Sequence, residues 1–218
     1  MNSLKHFRIL PLLAGTALLL PCFQAGAAGY KLADKVGASI SEFRDDIVDV
    51  KKSVDATMVS LDKIVTDAAT DPRKAFKEFD KNVPRIDSAA ATAKKHAEAM
   101  KAKGQSYFQQ WEKEMASVNN PEIRQLAEGR KAKLQTTFDN IKSHTEPARE
   151  QFNAWLTDLK DLQKYLSQDI TISGIEAAKS QIAKAKADGL TVQQTLEKVI
   201  AELNTVVATI TPAKVEKK

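Results

Sequence analysis

Apolar residues recur every three or four positions along most of the chain, which is the spacing of one buried face of an α-helix. The first such series covers residues 33–68 and has Thr57 as its single polar member. It ends shortly before Asp71 and Pro72. Asp71 can cap a following helix and Pro72 can occupy its first turn, so a helix boundary is predicted here.

Three further series follow, over residues 76–118, 134–166 and 175–210. Asn119-Asn120-Pro121 separates the series at 76–118 from that at 134–166, and it is a strong signal that one helix ends and another begins. The last two are separated by a lapse in the apolar spacing at residues 167–173. Each series therefore predicts one long helix.

Three residues inside these series disfavour a regular helix. Pro84 and Pro147 each remove a backbone donor and crowd the preceding turn, so a kink or a brief break is expected at both. Gly189 costs about 1 kcal/mol in a helix interior. We nevertheless expect the fourth helix to continue through Gly189, because the apolar spacing is regular on both sides of it.

Four helices of about 40 residues would each be about 60 Å long. Short connections make neighbouring helices antiparallel. The predicted fold class is all-α, an elongated antiparallel four-helix bundle with coiled-coil-like heptad seams. The bundle is expected to form a single domain over residues 28–211, followed by a basic tail, residues 212–218.

Residues 1–27 have the pattern of a bacterial signal peptide: a short basic start, an apolar run at Ile9–Phe23, and small residues ending at Ala27. The only cysteine of the chain, Cys22, follows Pro21. A lipoprotein signal requires a small residue at that position, so we expect cleavage after Ala27 and a periplasmic protein. An outer-membrane lipoprotein attached through Cys22 is the alternative.

The charge of the chain gives little reason to expect a nucleic-acid partner. The 218 residues include 33 lysines and arginines and 28 aspartates and glutamates. Loss of Lys5 and Arg8 with the signal peptide lowers the formal net charge from +5 to +3. The two signs are interleaved along the chain, as on solvated helix faces.

No motif of a catalytic or cofactor site is found in the sequence. His96 and His144 lack the preceding glutamate of a di-iron bundle, and the expected mature chain has no cysteine for covalent haem. The two histidines would lie level across a hairpin closed at residues 119–121. There they could share a metal ion with Glu98 or Glu146 as third ligand, but two half-exposed histidines are the favoured interpretation. We therefore expect no metal, no cofactor and no enzymatic activity.

The two tryptophans and an alanine-rich stretch allow a second kind of site. Trp111 and Trp155 could hold an apolar ligand, although their position within the series favours the core. The alanines of residues 89–99 would make the second helix thin and weakly held. That stretch is where we expect the bundle to open if it takes up lipid.

The segments Ser106–Met115 and Glu146–Leu166 resemble those of an uncharacterised family of bacterial exported proteins, rich in predicted coiled coil. The resemblance covers roughly residues 75–210 and includes a Trp-Glu-x-Glu step beginning at Trp111. It implies a helical architecture and a location in the envelope, and it implies no catalytic residue. Many members look like lipoproteins, and this chain departs from them at Pro21.

The function expected from these observations is that of a non-catalytic envelope protein, a helical scaffold or a protein-interaction module. A protein partner or self-association is expected, and no nucleic acid. One alternative is a bundle that binds lipid or a membrane surface through amphipathic helices. Another is a periplasmic chaperone-like protein.

Overall fold

The computed structural model describes residues 28–210, and the side chains of residues 31–210. The described chain forms four helices, α1 Ala28–Thr66, α2 Pro72–Met115, α3 Pro121–Gln168 and α4 Ile172–Ile210. They contain between 39 and 48 residues each, and the described residues contain no strand. The predicted all-α fold is confirmed.

The helices α2 and α3 begin where local sequence signals predict. Asp71 accepts a hydrogen bond from the backbone amide of Arg73 at 3.2 Å, and Asn120 accepts one from the amide of Glu122 at 2.9 Å. Each cap is followed by a proline at the first helical position, where a missing amide donor costs nothing. These boundaries are therefore set by residues adjacent in sequence.

The helix α2 continues through Pro84, so a break is not observed there. Proline lacks the amide that would bond the carbonyl four residues earlier, which here belongs to Asp80. Gln163 of α3 replaces that donor, since its Nε2 lies 3.1 Å from the Asp80 carbonyl oxygen and 2.8 Å from the Asp80 carboxylate. The hydrogen bond that proline removes within one helix is thus supplied by the neighbouring helix.

The other two doubtful positions also lie within continuous helices. Pro147 is exposed on α3, where water can hydrate the carbonyl that it leaves without a donor, so no break occurs there either. Gly189 is buried within α4, which confirms that the regular apolar spacing prevails over the cost of glycine. Neither residue divides its helix.

The four helices form a square in which each packs against two neighbours. The helix α1 contacts α2 and α4, and α3 contacts the same two helices. The antiparallel register of α1 and α4 is seen in their polar contacts, because Asp55 bonds Gln193 at 2.6 Å and Asn204 bonds Arg44 at 3.2 Å. Residue numbers fall in α1 as they rise in α4. This arrangement is an up-and-down bundle.

The core consists of the predicted apolar faces. The largest fully buried side chains include Trp155, Phe79, Ile40 and Leu61. Thr57, the polar member of the first series, is also buried, and its hydroxyl donates to the Ser53 carbonyl at 2.9 Å. Within residues 31–210 no buried side-chain polar atom lacks a hydrogen-bond partner. Hydrogen bonds within the protein therefore offset the cost of removing these polar groups from water.

A second buried polar residue, Asn82, joins α2 to α1. Its Nδ2 lies 3.2 Å from the Ala56 carbonyl oxygen and 3.3 Å from the Ser60 hydroxyl. Two bonds to one neighbouring helix are formed together only in one register. Asn82 therefore helps to specify how α1 and α2 align.

The signal peptide expected at residues 1–27, Cys22 within it and the expected tail at 212–218 lie outside the described residues. Within residues 28–210, no helix combines the length and the apolar character needed to cross a bilayer.

Candidate functional site at the open end of the bundle

One end of the bundle is flanked by three described helices rather than four. The described part of α4 ends at Ile210, which lines a groove with Ala33 of α1 and with Leu134 and Phe138 of α3. Beyond that level lie the beginning of α1, the end of α2 and the beginning of α3. We call residues 31–37, 101–115 and 121–134 the open end.

Four aromatic rings contact one another at the open end and just below it. The centroid of Tyr107 lies 5.5 Å from that of Phe108 and 5.7 Å from that of Trp111, and Phe108 lies 5.6 Å from Phe138. All three contacts are edge-to-face, the arrangement that the charge distribution of aromatic rings favours. All four side chains are only partly buried. We call them the aromatic cluster.

A glycine allows the aromatic cluster to form between α2 and α3. Gly104 is buried, and a Cβ at this position would lie 2.9 Å from Cε1 of Phe138. The ring of Phe138 therefore lies directly against the backbone of α2. That position brings it to the edge of Phe108.

The aromatic cluster borders a groove of about 280 Å³ between α2 and the beginning of α1. Tyr107, Trp111 and Met115 line it from α2, and Leu32 lines it from α1. Further along the open end, Ile123 and Leu126 on α3 are 51% and 74% exposed. These two residues are three positions apart and share one face of their helix. The open end thus combines partly buried aromatic side chains with exposed aliphatic ones.

The open end is the basic part of the described chain. It contains nine lysines and arginines and five acidic residues, whereas the rest of residues 28–210 contains 19 basic and 22 acidic residues. Among the described residues, Lys131 is the one basic residue of the open end in an ion pair, and its partner is Glu112. The basic residues are Lys31, Lys35, Lys101, Lys103, Lys113, Arg124, Arg130, Lys131 and Lys133.

Tyr107 keeps its proton over the whole neutral range. Partial burial raises the pKa of its hydroxyl above the usual 10.0, and the nearby Arg130 guanidinium opposes this shift only in part. The ring therefore contributes an apolar body with a neutral polar tip.

A family model described as "Protein of unknown function (DUF2959)" matches residues 25–210 of the chain. The chain belongs to DUF2959. The match includes all four helices, and it confirms the resemblance to an uncharacterised family while extending it from residue 75 back through α1. Neither the curated proteins nor the solved structures contain a significant match.

The two histidines of this DUF2959 chain pair with different helices. Nδ1 of His96 lies 2.5 Å from a carboxylate oxygen of Asp46 on α1, and its Nε2 lies 3.5 Å from Glu42. Nδ1 of His144 lies 2.7 Å from Glu202 on α4. The structure therefore places the two histidines against carboxylates of different helices, so they do not face a common site.

The shared metal site considered for His96 and His144 is thus not formed by these contacts. Glu98 and Glu146, the acidic residues considered as third ligands, are not partners of either histidine. Over the described side chains, no group of three or more histidine, cysteine, aspartate and glutamate residues could hold a metal ion. Spacing along the chain predicts how far along a helix a residue lies, but not which neighbouring helix it faces.

The two tryptophans have different environments. Trp155 is 1% exposed and its indole donates to the Ala185 carbonyl at 2.7 Å, so its predicted place in the core is confirmed. Trp111 is only partly buried, and the prediction that it belongs to the core is wrong. It lies beyond the level of Ile210, where the described part of α4 ends, so fewer described helices flank it than flank Trp155.

Proposed function

We propose that this DUF2959 chain is a non-catalytic helical module of the bacterial envelope, and that it binds a partner through its open end. The observation that supports this proposal is the aromatic cluster, which stays partly exposed at the same end of the bundle as the exposed Ile123 and Leu126. Exposed apolar side chains concentrated at one end of a protein are typical of an interaction site.

The kinds of side chain at the open end also support a binding role rather than a catalytic one. They are mainly aromatic, aliphatic and basic, with nine basic residues against five acidic ones, and the basic groups are distributed over three helices. His96 and His144, which could act as acids or bases, instead contact carboxylates of α1 and α4, away from the open end. The proposal accordingly assigns no catalytic residue.

The proposed location is the periplasm, which the pattern of residues 1–27 supports. Both Ala28 and Ile210, the ends of the described chain, lie at or next to the open end.

Photo-crosslinking in living cells tests the proposed binding surface. A photoreactive phenylalanine analogue is placed at Leu126 of the open end or at Leu190 of α4, as a matched control. The two leucines are 74% and 56% exposed, so neither replacement disturbs the core. We expect a covalent adduct from position 126 and not from position 190.

The same comparison is repeated with a second matched pair, Ile123 in the open end and Ile172 at the start of α4. Agreement between the two pairs shows that the result does not depend on one position. These residues are 51% and 63% exposed. Equal adduct yields at the open end and at the control positions, or adducts at the control positions alone, would show that the open end is not the binding surface. The mass of the adduct distinguishes lipid, a second copy of the chain and another protein.

A further inference from the structure

We infer that the partner of the open end is the surface of a membrane that contains anionic lipids, onto which the bundle docks end-on with its helices intact. This inference rests on the proposed function, since it names the partner of the same surface. It differs from the lipid-binding alternative drawn from the sequence, in which the bundle opens along its alanine-rich stretch.

Charge complementarity is the first argument for a lipid surface. The open end has nine basic and five acidic residues, while the rest of the described chain has a small acidic excess. Eight of the nine basic residues have no ion-pair partner among the described residues. A molecule with this charge distribution orients its open end towards an anionic surface.

The apolar groups of the open end suit the interface between lipid headgroups and acyl chains. Tyrosine and tryptophan favour that depth because each has an apolar ring and a polar atom. Tyr107 and Trp111 are adjacent and partly exposed. Ile123 and Leu126 lie nearer the α2–α3 turn and are more exposed still, so they can enter the bilayer surface first.

A second copy of the chain fits this surface poorly. Two open ends that face each other bring together two surfaces with the same excess of positive charge, which disfavours association. The anionic surface of a membrane is instead attracted to that excess. The observations thus favour lipid over self-association as the occupant.

Tryptophan fluorescence reports directly on the open end. The chain has two tryptophans, so Trp155→Phe leaves Trp111 as the only one. The full-length variant is mixed with vesicles of phosphatidylglycerol and phosphatidylcholine, or of phosphatidylcholine alone. We expect the Trp111 emission to shift to shorter wavelength with the anionic vesicles, to be quenched by brominated acyl chains, and to revert when salt is added.

This readout does not depend on residues 1–27, since it measures whether Trp111 itself enters lipid. Should Trp155→Phe fail to fold, the difference spectrum of the unmodified chain gives the same information. Trp155 is 1% exposed and supplies a constant background while the bundle stays intact.

A pair of double variants separates charge from general destabilisation. Arg130→Gln with Lys133→Gln removes two charges from the open end, and Lys63→Gln with Lys164→Gln removes two from the opposite half of the bundle. All four residues are exposed. We expect the lipid concentration that half-saturates the Trp111 signal to rise about thirtyfold in the first variant, and by less than about twofold in the control, whose charges lie far from the membrane and are screened by salt.

Two outcomes would overturn the inference. One is an unchanged Trp111 emission with anionic vesicles, and the other is an equal response to phosphatidylcholine alone. If crosslinks at Leu126 then identify a protein, the proposed function stands and its partner is a protein. If the open-end crosslinks are absent as well, both proposals are wrong.

Discussion

The close approach of α1, α3 and α4 at Gly189 predicts that an alanine there destabilises the bundle. Replacing glycine by alanine inside a helix normally stabilises it by about 1 kcal/mol. At Gly189, however, the added Cβ would overlap the sulfur of Met58 and would lie 3.2 Å from Cζ2 of Trp155. Met58 is a buried side chain of α1, so it must repack within the core to make room.

Gly129 supplies a matched control for this substitution. It is an exposed residue inside α3, and a Cβ placed on it meets nothing within 4 Å. Gly129→Ala should therefore gain about 1 kcal/mol of unfolding free energy. Overpacking of a core costs about 1–3 kcal/mol, so Gly189→Ala should lose up to about 2 kcal/mol after the same helix gain. The difference between the two variants in the change of unfolding free energy is the cost of packing the extra methyl group at position 189.

Urea denaturation followed by circular dichroism measures the unfolding free energy of both variants. The comparison requires that this free energy fall with urea concentration at the same slope in each variant. In a domain of this size, each kcal/mol corresponds to a shift of about 2–4 °C in the melting temperature. If Gly189→Ala stabilised the chain as much as Gly129→Ala, the three helices would not approach as closely as described. In a Met58→Ala background the sulfur is absent, so Gly189→Ala should recover at least about 0.5 kcal/mol of its loss.

Three other substitutions test separate features of the bundle. Asn120→Ala should lower the unfolding free energy by about 1 kcal/mol through loss of the α3 cap; no change in the urea midpoint would show that the cap contributes nothing. Trp155→Phe should cost about 1–3 kcal/mol, because a buried indole loses its hydrogen bond to α4, and a neutral result would contradict the described burial. The pKa of Lys51 is raised above 10.5 by its hydrogen bond to Asp55, opposed by partial burial and assisted by Glu197. This contribution to stability is therefore complete below pH 10.5 and is lost as the pH rises through the folded-state pKa. The stability difference between the unmodified chain and Lys51→Gln should shrink above pH 10.5, and a constant difference would exclude the ion pairs as its cause.

The helices could be predicted because their determinants are local. Apolar spacing selects one face of each helix, and Asp71 and Asn120 mark two of the starts. These signals act within a few residues of the structure that they specify. Gly189 belongs to the same class, since the periodicity on both sides of it outweighs a single unfavourable residue.

Contacts between helices could not be predicted in the same way. A kink or a brief break was expected at Pro84, because the sequence shows only the donor that proline lacks. The compensating donor, Gln163, is 83 residues away from Asp80 along the chain. His96 and His144 were placed correctly within their helices, but each faces the neighbour on its other side. A residue that flanks a seam can face either of two helices, and only packing selects between them.

The sequence by itself determined four long helices, their buried faces and two of their capped starts, because these follow from interactions between residues close together in the chain. The tertiary structure alone decided which side chains of different helices meet. That depends on how the four helices are aligned, and the alignment is set by contacts such as those of Asn82 and Gly189. Phe108 of α2 meets Phe138 of α3 in a partly exposed cluster for this reason.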